Sequence, residues 1–371
     1  MIPVAMIAAK RSAVAPRGGA LSRLELHELG APVLAQALAD AGIGVDEVDE
    51  VIVGNAMGGG GNPARLIALA AGLPETVAGL STDRQCCSGL DAVLTGAALI
   101  ASGQARVVVA GGVESYSRRP LRLRTDPDGG AAMAYDRPAF APWPDRDPDL
   151  AAAADQLATD LGLSRAEQEG WAIDSHRKAR AAVLSPDEIV PLAGLTRDAF
   201  TRDLTSRLCS RAPVLTGGIT AATAAVAADA AAFCVLVADD IAARTPDRVV
   251  RLIDGVTLGG APERPGIVPV AAIGQVLTRQ GLAVSDLSVA EIMEAYAAQA
   301  MACVRLTGLD PRIVNPGGGA LARGHPVGAS GAINAVRLYH ELRQRRGRGI
   351  AAIAAAGGLG TAVLMQAGPS R

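Results

Sequence analysis

The amino-acid sequence predicts an α/β fold. Segments with apolar residues at helical spacing alternate with short β-branched runs along most of the chain. Half of the 371 residues are hydrophobic, yet the chain holds only three Phe, four Tyr and two Trp, so its core is built from Ala, Val, Leu and Ile. Forty-three Gly and 22 Pro supply turns between short elements, without the period of a collagen or the bias of a disordered tract. At roughly 150 residues per domain, the length fits two or three domains or one large one.

Each element has its own signal. Leu24, Leu26, Leu29, Val33, Leu34, Ala37 and Leu38 share one helical face, and Gly42 stops that helix. Residues 51–54 read as a short strand, and 63–71 as a short helix opening on Pro63. Residues 87–102 read as a buried helix. RVVVAG at 106–111 is a continuous apolar run, the mark of a strand covered on both faces. From Ser115 to Pro213 the character changes. Residues 118–149 are rich in Pro, Arg and Asp with little periodicity, and a capping box from Ser164 to Glu167 opens a helix to about residue 182. This segment reads as an inserted, largely helical lobe. A helix over 220–228 and a strand over 231–238 follow. A second half starts near Arg248 with the strand RVVRLIDGV, then helices over 268–282 and 296–306, a Gly-rich loop, a helix over 330–346, and strands over 349–355 and 361–366. The two halves share a similar element order.

Composition excludes several function classes. Thirty-five basic against 37 acidic side chains and few aromatics argue against a general nucleic-acid binder, which needs a positive field and stacking faces. Lys10 and Lys178 are the only lysines, which disfavours Schiff-base chemistry. The uncharged stretch 349–370 is long enough to raise the question of a membrane span, but Gly357, Gly358 and Gly360 divide it into two strand-like runs. The apolar residues 1–9 precede Lys10 and Arg11 instead of following a basic region, so no signal peptide is expected. Cys86, Cys87, Cys209, Cys234 and Cys303 have no metal-type spacing, so no metal site is expected and a reducing, cytoplasmic setting is.

Two segments carry chemistry. Positions 84–90 read Arg-Gln-Cys-Cys-Ser-Gly-Leu, placing cysteines at the start of a helix. Free N–H groups there favour thiolate and can receive an oxyanion, so Cys86 or Cys87 is a candidate nucleophile; the alternative is a pair of small buried hydrophobes. Residues 315–331 form a Gly-rich loop around His325. His27, His176 and His340 fall on predicted helices of ordinary type. Glycine lets backbone approach a ligand, and Pro326 fixes the direction of the chain after His325. A dinucleotide or phosphate loop is the rival, but no GxGxxG follows a strand and no GK[ST] occurs.

Together these motifs resemble the thiolases, nearly end to end. Gly54-Asn55-Ala56 with Gly61-Asn62-Pro63-Ala64-Arg65, RQCCSGLDA, Gly111-Gly112-Val113-Glu114-Ser115-Tyr116-Ser117, Glu294-Ala295-Tyr296-Ala297-Ala298-Gln299, NPGGGALARGHPVGASGA and 354–360 fall in the family's order. The resemblance implies a five-layered αβαβα fold of two similar halves, 1–246 and 247–371, with an inserted coenzyme A-holding loop domain at about 116–217. It implies a homodimer or homotetramer, an acyl-CoA substrate without a cofactor, and neither nucleic-acid nor membrane partners. It makes Cys86 the acylated residue, with Cys87 at a position usually held by a small residue. His325 is then the base that takes its proton, and the N–H groups of Cys86 and residue 356 are the oxyanion donors. Arg202, Arg207 and Arg211, with Ala225, are the expected partners of coenzyme A.

The departures shape the expected activity. The family's second cysteine, the base for the enolate half-reaction, corresponds to Ala354, and the glycine after it to Ala356. The asparagine that holds a water over the second oxyanion site corresponds to Met293, and Gly, Asn and Ser positions appear as Ala222, Thr223 and Ala225. Loss of an acid/base group costs about 10²–10⁴ in rate. Loss of an oxyanion donor costs about 10²–10³. The expected function is therefore an acyl-CoA-dependent acyltransferase working by ping-pong through acyl-Cys86, with a carbon, amine or hydroxyl acceptor. The alternatives are an ordinary acetyl-CoA C-acyltransferase with a replacement base such as Glu294, and a non-catalytic homologue that binds CoA thioesters. Cys209, Cys234 and Cys303 are read as structural.

Overall fold

The computed structural model describes residues 2–368. The apolar N-terminal run is strand β1 (Val4–Ser12), buried along its whole length. Helix α1 (Leu26–Ala41) ends at Gly42 in a left-handed conformation, φ 66°. Strand β2 (Glu50–Gly54) leads to α2 (Pro63–Ala70), where the Asn62 side chain accepts from Arg65 N–H. Strand β3 (Ala78–Thr82), α3 (Ser88–Ala101) and β4 (Val107–Ser115) complete the first run. An excursion carrying α4 (Leu150–Leu161) and α5 (Arg165–Ala181) precedes β5 (Ala228–Ala238). The second half holds β6 (Val250–Gly259), α6 (Val268–Arg279), β7 (Leu287–Ile292), α7 (Ala297–Thr307), α8 (Val327–Arg345), β8 (Gly347–Ala355) and β9 (Leu359–Ala367).

The strands run β7-β8-β9-β6-β1-β5-β4-β2-β3. The halves repeat one plan. In each, a parallel pair (β2 with β4, β7 with β8) is followed by two antiparallel pairings that end on the first strand of that half. Strands β1 and β6 join the halves at Val4–Leu252, Ala5–Arg251 and Met6–Val250. The side-chain alternation of β1 serves two cores. Ala5 and Ile7 pack with Val33 and Leu34 of α1, whereas Val4 and Met6 join Leu90 of α3 and Val336 of α8. On the far side, Ile273 of α6 and Val304 of α7 cover Ile292, Ile350 and Leu364. Helices α3 and α8 thus form a central layer between the two halves of the sheet, and the outer helices close a five-layered α/β/α/β/α sandwich.

Small side chains set the spacing of the central layer. A Cβ on Gly89 of α3 would stand 2.7 Å from Ala332 N, and one on Gly331 of α8 2.6 Å from Leu90 N. The two helices therefore approach backbone to backbone, which draws their N-terminal ends together. The lobe is tied to both halves by buried charge. Arg11 Nε of β1 lies 2.7 Å from Glu188, Arg337 of α8 also bonds Glu188, and Arg11 reaches Asp198 at 2.7 Å.

The helix expected over 220–228 does not form. Thr223 Oγ1 accepts from Thr220 N–H at 2.9 Å, a local turn that competes with helix. The following backbone bonds other segments instead: Ala225 N–H to the Ala295 carbonyl at 2.9 Å and His325 N–H to the Val226 carbonyl at 2.7 Å. Helix α8 also starts earlier than expected, at Val327. Strands β1, β3 and β7 and helix α4 are elements that the sequence pattern left unassigned. The uncharged C-terminal stretch is β8 and β9, turning at Gly357 and Gly358, both at φ 77°. Among the described residues no helix is long and apolar enough to cross a membrane.

Candidate active site

The turn between β3 and α3 is fixed by its own side chains. Asp83 Oδ1 accepts from Gln85 N–H at 2.8 Å, and Ser88 Oγ accepts from Arg84 N–H at 2.8 Å while donating to the Gln85 carbonyl at 2.7 Å. Gln85 is held at φ 55°, a left-handed conformation costly for a residue with a Cβ. The kink aims Cys86 into a cleft, whereas Cys87 caps α3 and turns into the core with its sulfur 3.5 Å from the Ile353 carbonyl. The two cysteines, equivalent by sequence pattern, are thereby separated.

His325 reaches the same point from the Gly-rich loop. Gly324, at φ 113°, turns the chain, and Pro326 caps α8. His325 Nε2 lies 3.1 Å from Cys86 Sγ. On the other side of the ring, Nδ1 lies 2.7 Å from Ser330 Oγ, whose hydrogen goes to the Pro326 carbonyl at 3.0 Å. In the tautomer where Ser330 accepts from Nδ1–H, Nε2 is a free base facing the sulfur. The backbone N–H groups of Cys86 and Ala356 help to lower the pKa of the thiol. Burial pushes the thiol up to about 12 against that help, and burial alone pushes the imidazole down to about 4. The resting pair is thus neutral: a thiol beside a neutral imidazole.

Two carboxylates brace the loops without reaching the cleft chemistry. Glu114 accepts from Asn55 Nδ2 at 2.8 Å, from Ala56 N–H and Met57 N–H at 3.2 Å and from Gly328 N–H at 2.8 Å, joining the loop after β2 to the start of α8. Burial raises it to about 7. Glu294 accepts from Trp171 Nε1 at 3.0 Å, Ser175 Oγ at 2.7 Å, Asn315 Nδ2 at 3.0 Å and Leu321 N–H at 3.2 Å. All its capacity is used in holding the Gly-rich loop, and it lines neither cavity described next.

Two cavities meet at Cys86 and His325. The smaller, about 120 Å³, is mostly apolar and is lined by Leu150, Leu157, Pro265, Gln299 and Ala354 among others. The larger, about 510 Å³, carries Asp83, Tyr116, Arg122, Arg137 and Asp149. Ala225, Tyr296 and Ala356 line both. Ala354 offers only a methyl group to the smaller cavity. Met293 is buried in the central core, 1% exposed, and lines neither. Arg202, Arg207 and Arg211 also lie outside both. Arg202 stacks on the Phe200 ring at 4.1 Å, Arg207 lies within the short helix Ser206–Ser210, and Arg211 ends it. Cys209, Cys234 and Cys303 are buried away from the cleft. Among the described residues, no cluster of three or more His, Cys, Asp or Glu could hold a metal ion.

Sequence reasoning missed Arg122, Arg137, Tyr296 and Gln299 as lining residues. The signal for the arginines was the aperiodic, Arg- and Asp-rich composition of 118–149, a mark of functional loops.

The thiolase N-terminal domain matches residues 4–240, and the thiolase C-terminal domain matches residues 247–367. The chain belongs to the thiolase family. It is 37% identical over 376 residues to YhfS of Bacillus subtilis (strain 168), covering 97% of this chain and 98% of that protein. It is 35% identical over 374 residues to VraB of Staphylococcus aureus (strain MRSA252), with 97% and 98% covered. Both carry the provisional name acetyl-CoA C-acetyltransferase. Among solved structures, the Bacillus anthracis acetyl-CoA acetyltransferase superposes with a TM-score of 0.90 at 32% identity, covering 99% of each chain. Human mitochondrial 3-ketoacyl-CoA thiolase in complex with CoA superposes at 0.91 and 29% identity, covering 99% of this chain and 98% of that one. This thiolase is therefore an acyltransferase of thiolase type, and the five-layered architecture is the family's.

Proposed function

We propose that this thiolase takes an acyl group from an acyl-CoA onto Cys86 and passes it to a second nucleophile that needs no second cysteine. One observation carries the reading: Cys86 Sγ stands 3.1 Å from the free base His325 Nε2. In the first step the thiol proton moves to Nε2 as sulfur attacks the thioester carbonyl. The N–H groups of Cys86 and Ala356 then hold the oxyanion in this reading. The carbonyl–sulfur bond to coenzyme A breaks, and His325 returns the proton to the departing thiolate. In the second step, neutral His325 takes the proton of an amine or hydroxyl acceptor, or a carbon acceptor forms its nucleophile by losing CO₂. The acceptor attacks the acyl carbon, and Cys86 leaves as the thiol or thiolate.

Coenzyme A as carrier is supported by the CoA complex of the human relative. The larger cavity, with Arg122 and Arg137, is its proposed approach to the thioester. Arg202, Arg207 and Arg211 remain proposed partners of its phosphates, which lie at the far end of the carrier. A homodimer or homotetramer belongs to the same proposal.

A second reading, an ordinary acetyl-CoA C-acyltransferase, is favoured by the names of the relatives. It needs a base that Ala354 cannot supply, and Glu294 is engaged by four donors outside the cleft. Isotope exchange separates the two. Exchange of labelled coenzyme A into acetyl-CoA, with little cleavage of acetoacetyl-CoA by free coenzyme A, is the expected result. Cleavage at several turnovers per second would establish the second reading instead, and absence of exchange would remove the first.

A further inference from the structure

The larger cavity carries two charges that the acylation step does not use. Arg122 lines it half-buried, and among the described residues no carboxylate group pairs with its guanidinium. Its contacts are the carbonyls of Asp136 and Ala56, both at 3.4 Å, and the Met57 sulfur at 3.9 Å, all at the long limit for hydrogen bonds. Asp83 stands at the exposed rim of the same cavity, at the turn that presents Cys86, and its charge is near enough to help raise the thiol. Its Oδ1 accepts from Gln85 N–H at 2.8 Å. The neighbouring Arg84 reaches Asp91 at 3.1 Å instead, and among the described residues no cation pairs with Asp83. The other charges on the wall are engaged. Arg137 bonds Asp147, Asp136 accepts from Arg119 at 2.6 Å, and Asp149 caps α4.

We propose that the acceptor is an amino acid, with its carboxylate on Arg122 and its amino group, drawn in by Asp83, as the nucleophile that takes the acyl group from Cys86. The assignment rests on the acyl-Cys86 reading and narrows its acceptor to one class. The guanidinium fork matches a carboxylate. A plain amine leaves Arg122 without an anion, and a hydroxy acid leaves Asp83 without a cation. A zwitterion answers both. The cavity, about 510 Å³, falls in the range of about 300–1,000 Å³ usual for small-molecule sites. In the transfer, the ammonium gives one proton to water and the neutral amine attacks the acyl carbon. Its second proton passes to His325 Nε2 and on to the Cys86 sulfur as the carbon–sulfur bond breaks. The products are an N-acyl amino acid and the free thiol.

The test starts from acetyl-enzyme, made by brief exposure to acetyl-CoA and freed of coenzyme A by gel filtration. Its discharge by each of the common amino acids is followed by intact mass, beside the matching amine that lacks the carboxylate and the matching hydroxy acid. At least one amino acid is expected to discharge Cys86 about tenfold faster than either counterpart, the worth of one charge-assisted hydrogen bond. Arg122→Gln is expected to bring that amino acid down to its amine. Asp83→Asn, which keeps an acceptor for Gln85 N–H, is expected to slow amino acid and amine alike and to leave the hydroxy acid unchanged. Equal rates within every trio would overturn the proposal, as would a preference that survives Arg122→Gln. Calorimetry of the same amino acids on Cys86→Ala scores the site without the thiol. Binding that Arg122→Gln abolishes, with a wild-type thiol that no acyl-CoA loads, would overturn the acyl-enzyme reading and leave the site standing. A loaded thiol with no amino acid bound or acylated would overturn this proposal alone.

Discussion

Ser330 Oγ lies 2.7 Å from His325 Nδ1 and 3.0 Å from the Pro326 carbonyl, and with its hydrogen on that carbonyl the serine accepts from the ring. That single contact fixes the tautomer that faces Cys86. Ser330→Ala removes the acceptor and frees the ring to rotate or to carry its proton on Nε2. The acylation rate in single-turnover mixing with an acyl-CoA is expected to fall about tenfold, the equivalent of one hydrogen bond. Thermal stability should stay near that of the wild type. An unchanged rate would show that the tautomer is set elsewhere.

The pH dependence of acylation follows from a neutral pair. Burial holds the thiol near 12 and the imidazole near 4, so between those values both reactants keep their working protonation. The sign is that of a base that must be unprotonated: activity is present above about 4 and is lost as pH falls through it. A level profile of kcat/KM through neutral pH is expected in the acylation half-reaction. A bell between the ordinary imidazole and thiol values would point to a thiolate–imidazolium pair.

Ala354 places a methyl group in the smaller cavity where the proposed mechanism lacks a base, and Met293 is sealed in the core behind it. Introducing Ala354→Cys together with Met293→Asn is expected to raise cleavage of acetoacetyl-CoA by free coenzyme A at least tenfold, part of the about 10²–10⁴ that a positioned base supplies. Steady-state loss of acetoacetyl-CoA checks this. No gain in a correctly folded double variant would mean that the wild type does not lack that base.

Glu188 secures the lobe by bonding Arg11 and Arg337, all three buried. Burial works to raise its carboxyl, but Arg337 and Arg11 outweigh burial and hold it down to about 2. The stabilisation is therefore complete above the ordinary carboxylate range and is lost as pH falls through about 2. Glu188→Gln leaves two guanidinium groups short of charge and should cost about 3–5 kcal/mol in urea unfolding near neutral pH. A loss below about 1 kcal/mol would mean that the network is solvated.

The site was legible in the sequence where its chemistry is local. A cysteine at a helix start and a histidine among glycines are features of a few consecutive residues, and the structure brings Cys86 and His325 within contact. The distinction from Cys87 was not local: it depends on the left-handed Gln85 and on what lies beyond the turn. Arg122 and Arg137 were passed over for Arg202, Arg207 and Arg211 because the direction an arginine faces is set by how the lobe docks, which no periodicity encodes. The alanine-rich segment 220–228 misled for a related reason. Its helix propensity is weak beside the backbone bonds it makes to Ala295, Ala297 and His325. Strand β1 was hidden because its run of Ala and Met carries fewer of the β-branched residues that marked β4.

The most direct measurement is the mass of the intact protein after brief exposure to acetyl-CoA and to longer acyl-CoAs, followed by peptide mapping. One acyl group on the peptide carrying Cys86 is expected, absent in Cys86→Ala and formed about 10²–10⁴ more slowly in His325→Ala. An unmodified protein across the whole panel, or an adduct that persists in Cys86→Ala, would contradict a transferring thiol at this position.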